Sequence, residues 1–530
     1  MRNDAALRMN GARALWTAAR GTAMQARPLL AVALALYLGL FFRLGDFPLF
    51  DVDEGAFSEA TREMLERGDF VTTWLNGELR FDKPILTYWL QALSVSWFGL
   101  DEFALRLPSA LASAGWVVAV LVFTRRLAGE AAGYAAAFIA ATTLGVTVIG
   151  RGAIADALLN LFLALAMFDI YRYLVEARVR YRRRAWVWMA LGVLTKGPVA
   201  LLVPAAASLA AYTLQGQLAR WWKALRDPAG WLILLVVAGP WYLLEYLEQG
   251  QAFIDGFFLR HNVERFVAPL QGHGGGLLYY VPVAVLLLLP YTGLFLRALR
   301  ELPRLRATPL DTFLWCWFLF VFLFFSIAGT KLPHYLLYGI TPLFILMALH
   351  RHLLTSRWLA FGPPLLLMGL VVALPHAARI FGPRARNPYY REMLSQADVV
   401  GAEWQIAAAA LMLCVLGLAL MPRSPLWPRL AGCALLCAFA FGGLALPAIA
   451  ALQQGPVKEA ALLARAARLP VRTWQFNVPS FSFYRQAVTP RADVLRKGEV
   501  VLTRSDELAR LGEIAVLYRK GGVVLARIES

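Results

Sequence analysis

Two short stretches hold the residues best suited to chemistry. In FDVDEGAFSEATREML (residues 50–65), Asp51, Asp53, Glu54 and Glu59 crowd into nine positions. In RFDKPILTYW, Lys83 stands directly after Asp82. The acids have a plain structural reading: Asp51 as N-cap with Glu54 three residues on resembles a capping box, and acids in a first turn complement the helix dipole. That reading leaves Lys83 unexplained, and also Asp156, which ends an apolar run where charge is costly. A carboxylate beside several Lys and Arg groups suits group transfer from a phosphate. The carboxylate orients or deprotonates the incoming nucleophile, and the cations stabilise charge on the departing phosphate.

The elements that must position these groups belong to a membrane protein. Of 530 residues 59% are hydrophobic and 16% charged, with a mean hydropathy of +0.57, whereas soluble domains are about a quarter charged. Apolar runs of about 17–22 residues recur, long enough to cross a hydrocarbon core. The net charge of +18 is spread over short loops rather than gathered in one patch. That is the positive-inside distribution, and it argues for membrane lipids and against nucleic acid as the partner. Residues 1–27 carry five arginines and lead into an apolar run from Pro28 to Phe42 with no small-residue cleavage pattern. The run reads as a first span, about 28–44, rather than a cleaved signal.

Further spans are expected at 103–124, 131–149, 153–174, a pair broken at TKGP (195–198), then near 229–247, 277–296, 311–328, 335–350, 358–376, 403–421 and 428–452. Thirteen crossings place every arginine-rich loop, EARVRYRRR (176–184) above all, on the cytoplasmic side. Making PILTYWLQALSVSWFG (84–99) a span would invert every later loop, so it reads as an interfacial amphipathic helix. The acidic loop 45–102, with twelve acids and four bases, then lies outside. So do GRGAIAD, TKGP, the 245–276 loop, GTKLPHY and the tail. Arg151, Lys83, Lys196, Arg265 and Lys331 share that outer face, against the usual trend, and a lipid-linked phosphate is the economical anion for them to meet.

The expected organisation is a transmembrane domain, 1–453, and a small α/β domain outside the membrane, 454–530. The tail reads as a helix from Val457 to Leu469, strands VRTWQFNV and VVLTR, a short helix from Ser505, and strands IAVLYRK and GVVLARIE joined at RKGG. All four cysteines fall in predicted spans, so none is available to staple the tail.

The stretch FPLFDVDEGAFSEATREMLERGDFVTTWLNGELRFDKPILTYWL resembles the first outer loop of the bacterial lipid A aminoarabinose transferases. LGVLTKGPVALLVP, HNVERF and KLPHYLLY resemble later motifs of that family in the same order. These enzymes belong with the protein O-mannosyltransferases in the C-type (GT-C) glycosyltransferase fold. The resemblance implies an all-α polytopic membrane protein with a periplasmic α/β domain, set in the bacterial inner membrane. It also implies inverting transfer of a sugar from a polyprenyl (undecaprenyl) phosphate donor to a lipid or glycan acceptor on the periplasmic face. By position, Asp53 and Asp156 match the family's functional aspartates, with Glu54 continuing the acidic motif, and Lys83, Arg265 and Tyr335 match donor-phosphate ligands. Asp82, Lys331 and His261 are further candidates. The chain departs from the family pattern at Ala56 and Phe57, where Arg-Tyr is common, and at Asp82, where Glu is usual.

Other readings stay open. Lys331 suits a snorkelling anchor, and Lys196 a helix C-terminal cap. His261 and His334 suit either a sugar hydroxyl or a divalent metal, but lack ligand-type spacing. DVD resembles a metal-binding Asp-x-Asp on three residues only. A Ser/Thr acceptor, as in the O-mannosyltransferases, is the alternative within the same chemistry. A secondary transporter would carry repeated halves and midplane charges, and neither is present.

Overall fold

The computed structural model describes residues 27–264, 274–396, 400–422 and 424–529. Among the described residues six helices are long and apolar enough to cross a membrane: Glu102–Ala128, Asp156–Glu176, Pro309–Ile327, Arg357–Arg384, Ala402–Leu420 and Leu426–Gln453. Three bent pairs raise the number to nine if each is one crossing: Glu130–Thr142 with Leu144–Gly150, Pro228–Val237 with Gly239–Gln249, and Tyr280–Leu287 with Thr292–Arg304. Pro240 and Pro290 stand at two of the three bends, where a missing N–H breaks the helical ladder. Arg27–Phe41 and Val199–Leu214 are shorter apolar helices.

The stretch expected in the interface forms the helix Leu86–Phe98, whose 13 residues fall short of the roughly 20 needed for a crossing. Its Tyr88, Gln91 and Ser94 are buried against protein, while Trp89, Leu93 and Trp97 are exposed. Ahead of it the acidic loop builds the helix Asp53–Arg67 and a hairpin of β1 (Trp74–Leu75) and β2 (Glu78–Leu79). Asn76 and Gly77 join the strands, both with positive φ, the Asn-Gly signature of a tight two-residue hairpin turn.

One side chain organises this loop. Arg106, on the Glu102–Ala128 helix, has no solvent exposure. Its Nε and Nη2 each donate to the Glu54 carboxylate at 2.9 Å, while Nη1 and Nη2 reach the carbonyls of Leu44, Phe47 and Pro48. The guanidinium lies 3.8 Å from the centre of the Phe47 ring. Arg151 does a parallel task, donating to the carbonyls of Leu38, Gly39 and Phe42 at the end of the first helix, where helical carbonyls have no intrahelical partner. Its partners are therefore backbone dipoles.

The tail forms the helix Gly455–Ala466, then a four-stranded sheet in the order β3-β4-β6-β5, from β3 (Val471–Thr473), β4 (Val500–Arg504), β5 (Ile514–Lys520) and β6 (Val523–Ile528). β3 pairs parallel to β4 and the other pairs are antiparallel. The expected strand VRTWQFNV ends at Thr473, and Pro479 opens a short helix, Pro479–Arg485, in a stretch to which the sequence reading assigned no element. That helix packs on the first loop. Phe481, Tyr484 and Val457 share a buried cluster with Leu49, Leu105 and Ala153. Gly55 is required at this contact, since a Cβ there would meet Asp51 Oδ1 at 2.1 Å and Ser480 N at 2.6 Å.

Glu54→Gln removes the charge that Arg106 faces in a site without water. Breaking a buried pair costs about 3–5 kcal/mol, so the purified variant should lose many degrees of thermal stability in detergent. Melting within one or two degrees of wild type would show that the pair does not hold the loop.

Candidate active site

Asp156 opens the helix Asp156–Glu176 and is 4% exposed. Its Oδ1 accepts from Lys196 Nζ at 2.6 Å and from the Tyr338 hydroxyl at 2.9 Å, and His334 Nε2 stands 3.8 Å away. Three elements meet here. Lys196 is the last residue of the helix Val179–Lys196, and His334 and Tyr338 come from the short turn Pro333–Gly339. Lys196 Nζ also lies 5.5 Å and 5.9 Å from the Tyr338 and Tyr335 rings, within cation–π range. The lysine that suited a helix cap has a carboxylate partner instead, which is what a charge at the end of a span requires.

A second group forms on the first loop. Asp53 is exposed in the first turn of Asp53–Arg67. Arg80, buried just after β2, donates through Nε to the Tyr88 hydroxyl at 3.2 Å and places Nη2 3.3 Å from Asp82 Oδ2. Its guanidinium sits 5.5 Å from the Phe57 ring and in electrostatic range of Asp53. Lys83 Nζ donates to the Asp82 carbonyl at 2.9 Å.

Glu54 ties the two groups together. Besides Arg106, its carboxylate accepts from the backbone N–H of Phe50 at 2.8 Å and of Ala153 at 2.7 Å. Asp53 precedes Glu54 and Asp156 follows Ala153 by three residues, a stretch that spans at most about 11 Å. Gln91 and Ser109 hold the same 153–154 backbone through the carbonyls of Ala153 and Ile154. The Glu54 oxygens thus meet a guanidinium and two amides.

Tyr335 is buried among Phe325, His334 and Tyr338, its ring centre 5.0 Å from that of Phe325. Lys331 is 6% exposed and donates to the Ala328 carbonyl at 2.6 Å, so it does not snorkel. Arg265 lies outside the described residues, and His261 outside the described side chains. Among the described residues no group of three or more His, Cys, Asp or Glu side chains is arranged to hold a metal ion. The sequence reading missed Arg80, Arg106, Tyr88 and Tyr338. Arg80 carried a signal as the cation two positions before Asp82 in RFDK, and Tyr88 and Tyr338 lay within RFDKPILTYW and KLPHYLLY.

Residues 82–243 match the family described as dolichyl-phosphate-mannose-protein mannosyltransferase. The undecaprenyl phosphate-alpha-4-amino-4-deoxy-L-arabinose arabinosyl transferase of Aeromonas salmonicida is 30% identical over 395 residues, 71% of each chain. The chain belongs to this arabinosyl transferase family. The family's enzyme from Yersinia enterocolitica is 32% identical over 328 residues, covering 60% of this chain and 58% of its own. Among solved structures, ArnT from Cupriavidus metallidurans bound to undecaprenyl phosphate superposes with a TM-score of 0.77 at 21% identity, over 94% of this chain and 97% of that one. The family's fold is thus the fold of this chain, a polytopic helical membrane protein of the C-type glycosyltransferase architecture.

Asp51, which suited an N-cap, does not cap the helix. Val52 holds that position without a side-chain bond. The Asp51 carboxylate instead accepts from Ser480 N at 2.9 Å and from the Ser480 hydroxyl, joining loop to tail. Burial pushes its pKa up to about 7, against the lowering effect of the Ser480 bonds. A raised folded pKa stabilises the fold fully below the ordinary value of 3.8, and that share is lost as pH rises through about 7. The joint should therefore resist limited proteolysis better at pH 5.5 than at pH 8, and Asp51→Asn should flatten the difference. An unchanged pH dependence in that variant would place its source elsewhere.

Proposed function

We propose that this chain is an integral membrane glycosyltransferase that moves a sugar from an undecaprenyl phosphate donor to a lipid A-type or other periplasmic acceptor, with inversion. Membership in the arabinosyl transferase family carries the reading, and the Asp53–Arg80 and Asp156–Lys196 groups, tied through Glu54, give it a mechanism. The acceptor oxygen attacks the anomeric carbon, the bond from that carbon to the donor phosphate oxygen breaks, and polyprenyl phosphate leaves as the anion. Asp53, the exposed carboxylate, orients the acceptor and takes a proton when the acceptor is a hydroxyl. Lys83, Arg265 and Tyr335 hold the donor phosphate, and Arg80 adds a buried cation to the first loop. Lys196 and Asp156 fix the wall against which the donor lies, and Asp82 orients Arg80.

The chain crosses the membrane thirteen times, counting Val179–Lys196, the Pro333–Leu349 segment and the shorter apolar helices together with the nine runs above. Residues 454–530 form a periplasmic α/β unit on the side of the active site. The arginine-rich EARVRYRRR loop supports this sidedness. A phosphatase fused after Ser530 should be active in intact cells, and a fusion within 176–184 inactive. The reverse pattern would invert the topology.

Asp53→Asn keeps the size and polarity of the side chain and removes the carboxylate. General-base assistance is worth about 10²–10⁴ in rate, so transfer from undecaprenyl phosphate sugar by the purified variant should fall by at least two orders of magnitude at matched stability. Activity within about three-fold of wild type, short of that general-base range, would remove Asp53 from the chemistry.

A further inference from the structure

The hairpin and the tail enclose a groove of about 410 Å³ that the residues assigned above do not occupy. Asn76 and Glu78 face it from β1–β2, Gln475, Phe476 and Asn477 from the segment after β3, and Arg491 from the tail. Gln475 and Asn477 supply paired amide donors and acceptors, Asn76 adds an amide whose Oδ1 accepts from the Ser482 hydroxyl, one ring supplies a stacking face, and the Glu78 and Arg491 charges cancel. Such a surface suits a neutral, hydroxyl-rich saccharide. A phosphate would call for an excess of cations.

Two observations connect the groove to function. Gln475 holds a positive φ of 51°, a left-handed conformation that a long side chain rarely adopts and that clusters at ligand sites. The hairpin register also pairs Leu75 with Glu78, and Arg80 N donates to Thr73 O at 2.8 Å. Glu78 and Arg80 stand two residues apart in extended chain, about 7 Å. One end of the groove therefore runs toward the cation that stands in range of Asp53.

We propose that this groove is an acceptor subsite, holding the saccharide part of the acceptor while its reacting oxygen reaches Asp53 and Arg80. The inference rests on the glycosyl-transfer reading above and adds to it a specificity surface built by the tail. Gln475→Gly with Asn477→Ala removes two amides and also relieves the left-handed backbone.

Two measurements on the full-length protein in detergent decide it. In transfer assays with lipid A as acceptor, losing two hydrogen bonds should raise the acceptor KM about ten-fold, with kcat, donor affinity and melting temperature little changed. In saturation-transfer NMR, the neutral disaccharide chitobiose should give a signal with wild type that disappears with the double variant and survives excess inorganic phosphate. An unchanged KM, a loss of kcat together with donor affinity, or displacement of chitobiose by phosphate would each overturn the subsite. A wild type that binds chitobiose yet transfers nothing to lipid A would count against that acceptor and leave the groove standing. No chitobiose signal from wild type would sink the groove while leaving transfer intact.

Discussion

The geometry outside the bundle depends on one guanidinium sealed from water. Arg106 meets Glu54 through two parallel hydrogen bonds and gathers three carbonyls of the 44–48 turn. A buried charge pair is worth little as net stability, because desolvation offsets attraction, but it is demanding in geometry. Here that demand is useful. Glu54 can satisfy Arg106 and the Ala153 amide only if the first helix of the loop, the Glu102–Ala128 span and the 151–155 turn stand in one arrangement. That arrangement sets Asp53 on one side of the carboxylate and brings Asp156 around on the other.

The cations singled out in the sequence divide by what they meet. Arg151 is spent on backbone carbonyls, Lys331 on one carbonyl, and Lys196 on Asp156. Each has lost its hydration shell to fixed protein groups, and none of these three needs a ligand to account for it. Lys83 differs, being only partly buried and bonded to a carbonyl beside Asp82.

The helical membrane architecture was legible because each span must satisfy its backbone internally and carry an apolar surface, constraints that act locally. The hairpin was legible in principle from its Asn-Gly pair, and the last strands from alternation around RKGG. The site was legible only in part. Asp156 stood out as an acid in a costly place and Asp53 within a cluster of acids, but no local pattern reveals that Arg106 closes on Glu54 52 positions earlier, or that Tyr338 reaches Asp156 across 182. Arginine inside an apolar helix reads as an interruption until its partner is seen. Asp51 misled for the complementary reason: a helix-start signature was present, but a serine 429 residues away outbid the local amides.

That last separation also sets a timetable for the growing chain. The Leu49–Ala153 surface and the Phe481–Val457 surface bury each other, so this face of the early loop stays uncovered until the tail emerges. At about 5–20 residues per second of synthesis, the 429 residues between Asp51 and Ser480 impose a wait of roughly 20–90 s. Through that interval the bundle is inserting while the acidic loop stands with Leu49 and Leu105 uncovered. Maturation therefore waits for the Pro479–Arg485 helix: a ribosomal pause before it leaves an inserted molecule whose first loop is still uncovered.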